Sequence, residues 1–490
     1  QVDGFMVGLH GDMRNAYTSL FYLGEARGGT SKHGNSTVNT SLDSSSPIKD
    51  QDFTKDKTGV SNWNGYYGKL LQVNLLIQEV ENGCKFLTED ERNYILGQGY
   101  GLRAFYYFML YRTYGGVPEI KDVKVINGVT SAKELYNPRV TPAKTLSFIK
   151  EDINKSETYF GNNFSINGNR SMWSKAATLV LKAEIYLWSA KVTTGDQSPA
   201  TDDLQNAKSA LTQLEGRYSL MPQFSDVFNN SKKGNDEIIY TFRFIDGEAT
   251  NWAGNFISAD NLFISQVYGR DGKLITKDTL NTKGTGLLRH EYKFSLFESF
   301  DDLDTRRDAT FFDFYIKDNS GTVINKGLVL KKALGSINSN NVRVYDSDIP
   351  LYRYADVLLM LAEVENMQNG DPAKYINMVR ARAYGNNYDE NIHGYTNKTF
   401  AENELAILHE RDKEFVWEGK RWFDVVRMHD ANGRSLAFSA EANYLNYGQT
   451  VLSPILDYTT EAYKLLWPIN VGVMTNDQTV EQTPDYSKSE

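Results

Sequence analysis

One cysteine, Cys84, stands among 490 residues. A lone thiol closes no disulfide within the chain and cannot build a cysteine zinc site. No apolar run reaches the roughly 18 residues of a membrane-spanning helix. Basic clusters are missing too: Lys331-Lys332 and Arg306-Arg307 are no more than pairs, and the net charge is −9. Phosphate binding needs a basic patch, so no nucleic-acid partner is expected. The six histidines (His10, His33, His290, His393, His409 and His429) form no HExxH or other close pair. No metal and no cofactor are therefore expected. Walker and GxSxG sequences are absent. In "GQGYGLR" (97–103), Leu102 takes the third glycine's place of a dinucleotide fingerprint, inside a helical pattern. The chain opens on Gln1 rather than Met and shows no signal peptide. A targeting segment is expected to have been trimmed.

What is abundant is aromatic surface: 30 tyrosines and 25 phenylalanines beside 7 tryptophans. Amphipathic rings in such number suit a surface that is both apolar and wet. The length allows a large core in one big domain or in two or three smaller ones.

Three blocks read as helix pairs. The first opens at Thr88, an N-cap with Glu91 completing a capping box, and carries Leu102, Phe105, Tyr106 and Met109 on one stripe before Gly115-Gly116 and Pro118 stop it. Thr141 caps the next helix, with Pro142 at its first position. The second block is "SKAATLVLKAEIYLWSAKVT" with "TDDLQNAKSALTQLEG", turning at Gly195-Asp196. The third is "IPLYRYADVLLMLAEVENMQNG" with "DPAKYINMVRARAYG", separated by Gly370 and capped by Asp371. Each pair has the size of a tetratricopeptide unit, about 34 residues of helix–turn–helix. A non-repeat helical bundle is the alternative.

Two long polar stretches interrupt the helices, 28–65 and 218–345. Loops of that length are functional or disordered. The second also holds short strand-like runs such as "DEIIYTFRFI". "DDLDTRRD" (301–308) carries four aspartates but neither the glycine nor the final Glu of a calcium loop, and reads as a solvated acidic turn.

"ERDKEFVWEGKRWFDVVRM" (410–428) crowds charge among aromatics. Glu410, Glu414 and Glu418 at i, i+4 spacing form a salt-bridged or solvated row rather than a catalytic pair. Asp412 falls on the apolar stripe of Ala401, Leu405, Leu408 and Phe415 and needs a buried cation. Arg421, Asp424 and Arg427 share the facing stripe, beyond a bend at Gly419. The pattern predicts a charge seam locking two helices.

The same stretch resembles the C-terminal signature of SusD/RagB-like outer-membrane nutrient-binding lipoproteins. "LRAFYYFMLYRTYGGVPEI" (102–120), "YRYADVLLMLAEVEN" (352–366), "LLWPIN", "LGEARGG" (23–29) and "WNGYYGKLLQVN" (63–74) also resemble that family, in order. Asp356 departs from a more usual Glu, Asn470 from a proline, and the lipid-bearing cysteine is absent. The resemblance implies a single, mainly α domain over 1–490. It would hold about four tetratricopeptide-like helix pairs, with 28–65 and 218–345 as ligand-facing, loop-rich insertions containing short strands. It implies a cell-surface glycan-binding protein, not an enzyme, held on the outer-membrane leaflet by an N-terminal lipid. Captured oligosaccharide would pass to a partner TonB-dependent (SusC-like) transporter. Peptide capture within the same family is one alternative. A glycoside hydrolase on a helical scaffold is a weaker one.

A sugar ring packs its apolar face on an aromatic and needs amide, carboxylate or guanidinium groups at its rim. The first loop offers Asn62, Trp63 and Asn64; the second offers Asn251, Trp252, Tyr268, Arg270 and Tyr292. Trp252, in a polar loop, is the first choice as ligand platform. Trp63 has packing as its rival role. Trp173, Trp188, Trp417, Trp422 and Trp467 lie on scaffold motifs and are expected in the core.

Overall fold

The structure is a computed structural model that describes residues 2–34, 46–59, 63–257 and 263–486. Its contacts group into two compact units. One gathers Gln1–Ala16, Gln51–Arg217 and Leu456–Glu490; the other gathers Tyr17–Asp50 and Tyr218–Ile455. The expected loop 28–65 is thus shared between them, whereas 218–345 belongs to the second. No described helix is long and apolar enough to cross a membrane.

The first unit is a succession of antiparallel helices, Asn64–Asn82, Glu89–Tyr114, Pro142–Phe160, Lys175–Lys191 and Asp203–Thr212, each packed on the next. The caps are those the sequence predicts. Thr88 accepts from the Glu91 amide while the Glu91 carboxylate takes the Thr88 amide, and Thr141 accepts from Lys144 ahead of Pro142. Glycines in the middle of a helix cost about 1 kcal/mol each against alanine. Gly101 has a reason: a Cβ there would lie 2.2 Å from Trp173 Nε1. The indole of Trp173 is fully buried and donates to Thr178 Oγ1 at 2.9 Å. Its backbone N–H donates to Nε2 of His10, whose Nδ1 donates to the Met6 carbonyl, both at 2.8 Å. With one ring nitrogen accepting and the other donating, His10 is fixed as a neutral tautomer. Burial pushes its pKa down to about 4.

The second unit pairs Tyr354–Met367 with Ala373–Tyr384 and packs Phe400–Glu414 against the first of these. Its strands, among the described residues, make only two-stranded antiparallel ladders, such as Ile238–Phe242 with Ile349–Arg353 and Phe311–Lys317 with Val323–Leu330. The helix-pair, mainly α class is as expected, with short strands in the loop-rich part.

Residues 410–428 are buried except for the half-buried Lys413. Asp412 meets Arg421 Nε at 3.0 Å and accepts from Tyr444 Oη at 2.8 Å. Arg411 bridges Asp356 and Asp424, each at 2.8 Å, and Arg427 grips Glu363 with two N–H groups. Deeper, Arg353 has all five N–H groups satisfied, by Glu237, both oxygens of Glu418, and the carboxylate and carbonyl of Glu414. Arg306, Arg382, Arg380 and Lys332 close the same network around Glu410, Glu414, Glu418, Asp304 and Glu237. The named groups make five cations and five carboxylates, so the buried cluster is neutral. Burial alone would raise the Glu414 carboxyl; Arg382, Arg353 and Arg306 hold it well below the usual range. Such networks contribute mainly by fixing one arrangement, because removing a single partner strands a buried charge.

Candidate functional site: a half-buried aromatic platform

Helix Ala16–Phe21 runs directly into one turn of π-helix, Tyr22–Ala26. Tyr17 and Phe21 from the helix and Tyr22 from the π turn lie against one neighbour, Trp252. The Trp252 indole stacks on Tyr22 (centroids 5.6 Å, planes 30° apart) and meets Phe21 edge-on at 5.1 Å. Tyr17, Phe256 and His290 complete its surround at 6.4, 5.5 and 5.4 Å. Tyr17, Tyr22 and Trp252 are all half-buried, so this cluster keeps a wet side.

Backbone hydrogen bonds hold the tryptophan in place. The Trp252 N–H donates to Tyr17 Oη at 2.8 Å. Asn251, just before it, accepts from the Ala253 N–H and donates to the Ser347 carbonyl, both at 2.9 Å. Asn255 Nδ2 donates to the Trp252 carbonyl at 3.1 Å. The indole Nε1 is buried and has no hydrogen-bond partner among the described residues. An unmet buried donor is uncommon in native proteins and calls for an explanation. Lys49 Nζ lies 2.7 Å from His290 Nδ1 and puts a half-buried cation beside the rings. Burial raises the Tyr17 phenol, which stays neutral.

A buried carboxylate supports this cluster from beneath. Glu25, in the π turn, accepts from Tyr292 Oη at 2.5 Å, the Trp417 N–H at 2.7 Å and the Gly419 N–H at 2.8 Å. Burial raises its pKa to about 7, against the pull of these hydrogen bonds and of Lys332. The close approach requires Gly24: a Cβ there would lie 1.9 Å from the Gly419 carbonyl oxygen. Trp417 itself sits at φ +64°, a left-handed conformation costly for a bulky residue, and its ring touches Phe256 at 5.8 Å.

The other sequence candidates are distributed differently. Trp63 is only 5% exposed and packs edge-on against Tyr67 and Tyr114, so its rival role, packing, is the one its position shows. Asn64 starts the following helix and is exposed. Asn62 lies outside the described residues. Asn251 is buried and engaged in shaping the Trp252 turn, as above. Tyr292 is 1% exposed and spends its hydroxyl on Glu25. No open face of Trp63, Asn251 or Tyr292 therefore remains for a ligand; each is enclosed because its polar or aromatic surface completes an internal contact. Tyr268 and Arg270 sit beside strand Phe311–Lys317. Tyr268 exchanges backbone hydrogen bonds with Tyr315, and Arg270 pairs with Asp313 and Asp308. Tyr17, Phe21 and Tyr22 were not anticipated, although "YTSLFY" (17–22) spaces aromatics at i, i+4 and i+5. The other five tryptophans lie in the core, as expected.

Among the described residues no cluster of His, Cys, Asp or Glu is arranged to hold a metal. Glu410, Glu414 and Glu418 are buried and bound to Arg or Lys. The mainly helical scaffold that carries this half-buried aromatic cluster matches those of known proteins. Residues 315–486 match the model described as the SusD family, and residues 5–187 the one described as starch-binding associating with outer membrane. The chain is 40% identical to a SusD superfamily protein of Bacteroides fragilis NCTC 9343, over 99% of both chains, with a TM-score of 0.90. It is 31% identical to B. fragilis NanU, covering 99% of this chain and 96% of that one, with a TM-score of 0.84. Starch-binding protein SusD of Bacteroides thetaiotaomicron is 29% identical over 29% of this chain and 22% of its own. The chain belongs to the SusD family.

Proposed function

We propose that this protein captures a glycan at the bacterial surface on the Tyr17–Tyr22–Trp252 platform and passes it to a TonB-dependent transporter in the outer membrane. The carrying observation is the half-buried Trp252, stacked on Tyr22 and fixed through its own backbone, with a desolvated indole N–H. Pre-oriented rings lose little entropy on binding and offer the flat apolar surface a pyranose face needs. Half-buried Lys49 and Asn255 stand beside the rings, bonded to His290 and to the Trp252 carbonyl, and put polar groups at the edge of the platform. Tyr268 and Arg270, beside the Phe311–Lys317 strand, and exposed Asn64 remain candidates for contacts further along a longer ligand.

The family description and the name of the B. thetaiotaomicron relative support glycan as ligand and the outer membrane as location. A lipid anchor and the transporter partner are part of this reading. Binding without catalysis fits the locked state of the 410–418 carboxylates.

Native affinity gels cast with amylopectin, laminarin, xylan or mannan test it. At least one polymer should retard the wild-type protein. Trp252→Ala should lower that affinity tenfold or more, and Tyr22→Ala severalfold. Trp252 is packed among five rings, so Trp252→Ala should also cost about 3 kcal/mol of stability, and binding must be read well below its melting temperature. Retardation by none of the four gels, or equal retardation of both variants, counts against the glycan reading. Purification from the native outer membrane should bring a large β-barrel transporter with the protein; isolation alone would remove the delivery step.

A further inference from the structure

Glu25 is a buried carboxylate that the charge network leaves out. Among the described residues it takes no Lys or Arg: Tyr292 Oη and the Trp417 N–H donate to its Oε1, and the Gly419 N–H donates to its Oε2. Lys332, whose charge reaches it, is bound to Glu418 and to the carbonyls of Glu414 and Val416. A cavity of about 10 Å³, room for one water, adjoins it. The other charged side chains on the cavity walls are already paired, Asp412 with Arg421 and Arg411 with Asp424. Elements Ser46–Lys49 and Ser31–His33 also pack on the π turn, and there Lys49 meets His290, Lys32 meets Glu291 and His33 meets Asp50.

Each oxygen of Glu25 thus faces a backbone N–H, which donates and cannot turn round. A proton on Oε2 would point at the Gly419 N–H. A proton on Oε1 has one outlet, a turn of the Tyr292 hydroxyl from donor to acceptor, and it leaves both N–H groups on a neutral acid. Bonds to a carboxylate are roughly twice as strong as bonds to a neutral acceptor. The turn they hold is strained at Trp417, with φ +64°. The Trp417 ring touches Phe256, which in turn meets Trp252 at 5.5 Å and Tyr292 at 6.0 Å. Tyr22 belongs to the same π turn as Glu25. Both stacked rings of the platform are therefore tied to one carboxylate, Trp252 through Phe256 and Tyr22 through the backbone.

We infer that Glu25 is a positioning residue that makes the platform pH-sensitive: its carboxylate clasps the turn at Trp417–Gly419 to the π turn, and its protonation loosens Trp252 and Tyr22, so that ligand is held tightly in mild alkali and released in mild acid. The binding consequence rests on the platform reading above; the clasp itself is read without ligand. Burial places the change near neutrality, with the carboxyl raised from the usual 4.5 to about 7. The folded chain binds this proton more tightly than the unfolded one. The stability Glu25 contributes is therefore full below about pH 4.5 and lost as pH rises through about 7, so its protonation loosens the turn without weakening the fold.

Fluorine NMR of fluorotryptophan-labelled protein tests it, with signals assigned from Trp→Phe variants. Between pH 8 and pH 5 the Trp252 and Trp417 signals should shift together with a midpoint near 7, while that of Trp63 stays put. In Glu25→Gln, which does not titrate, both shifts should vanish. Tyr292→Phe removes one donor from the carboxylate and should move the midpoint to higher pH; it keeps the acid and so guards against a folding defect in Glu25→Gln. In the polymer gels the affinity of wild type should fall about fivefold from pH 8 to pH 5, the effect of one hydrogen bond, and that of Glu25→Gln should not change with pH. A wild-type profile that persists in Glu25→Gln would assign the titration to another group, such as His290 beside Trp252, and overturn the inference. Static Trp252 and Trp417 signals would overturn it as well, whatever the gels show. Signals that shift while affinity stays constant would remove the link to binding. If the signals shift and no polymer is retarded, the clasp stands and the glycan reading falls.

Discussion

The carboxylate of Glu25 accepts the backbone N–H of Trp417, 392 positions away in sequence, at 2.7 Å. It holds that residue in a left-handed conformation with φ +64°. A second bond from Gly419 completes the grip. In Glu25→Gln the amide group has one accepting oxygen, so whichever way it turns, one of these two backbone N–H groups loses its partner. An orphaned buried donor costs about 1–3 kcal/mol. Urea unfolding should show that loss; a midpoint equal to wild type would mean the turn holds itself.

Asp412 is enclosed by Arg421 and Tyr444. Burial raises its pKa, and Arg421 opposes that shift. Asp412→Ala leaves Arg421 charged and buried, donating to the Ala442 carbonyl but with no carboxylate against it. The expected cost is about 3–5 kcal/mol. Calorimetry should register it as a large drop in melting temperature, with polymer binding at 10–15 °C unaltered, since Asp412 does not touch the platform.

Gly101→Ala sets two effects against each other. Helix propensity favours alanine by about 1 kcal/mol. The added methyl would sit 2.2 Å from the buried Trp173 indole. Overpacking of that kind costs about 1–3 kcal/mol or more, because neither the helix backbone nor an indole tied to Thr178 gives way easily. The variant should be less stable than wild type, and a rise in its melting temperature would show that Trp173 can move.

His10 makes stability fall in mild acid. Its folded pKa is depressed to about 4 from 6.5, so below pH 6.5 the unfolded chain binds a proton that the folded chain refuses. The stability it contributes is complete above pH 6.5 and is lost progressively down to about pH 4, by up to about 3 kcal/mol. The difference in unfolding free energy between wild type and His10→Gln, followed from pH 8 to 4, isolates this residue. A difference that does not change with pH would show that His10 takes up its proton as easily folded as unfolded.

Local signals were legible. The caps at Thr88 and Thr141, the bend at Gly419 and the burial of Asp412 all follow from spacing within a few residues. The partners of the buried charges were less so. Asp412 and the facing stripe of Arg421, Asp424 and Arg427 lie close in sequence and read as one seam, whereas Glu237, Arg353 and Arg382 meet only through tertiary folding. The platform was half legible. Trp252 drew notice as an aromatic in a polar loop, but its neighbours Tyr17 and Tyr22 sit more than 200 residues earlier, in a stretch that reads as an ordinary helix. Trp63 and Tyr292 show the converse: an aromatic near polar residues in sequence is as readily a packing element as a ligand surface.

The neutral cluster around Arg353 also constrains how the chain must be made. Glu237 precedes Arg353 by 116 positions, and Arg353 precedes Glu418 by a further 65. A nascent chain that has emerged only to Arg353 carries that guanidinium with one of its three carboxylate partners. Until residue 418 is available, burying these groups is penalised rather than rewarded, so the unit around them closes late and as a whole. Fragments ending before that point should remain open to proteases.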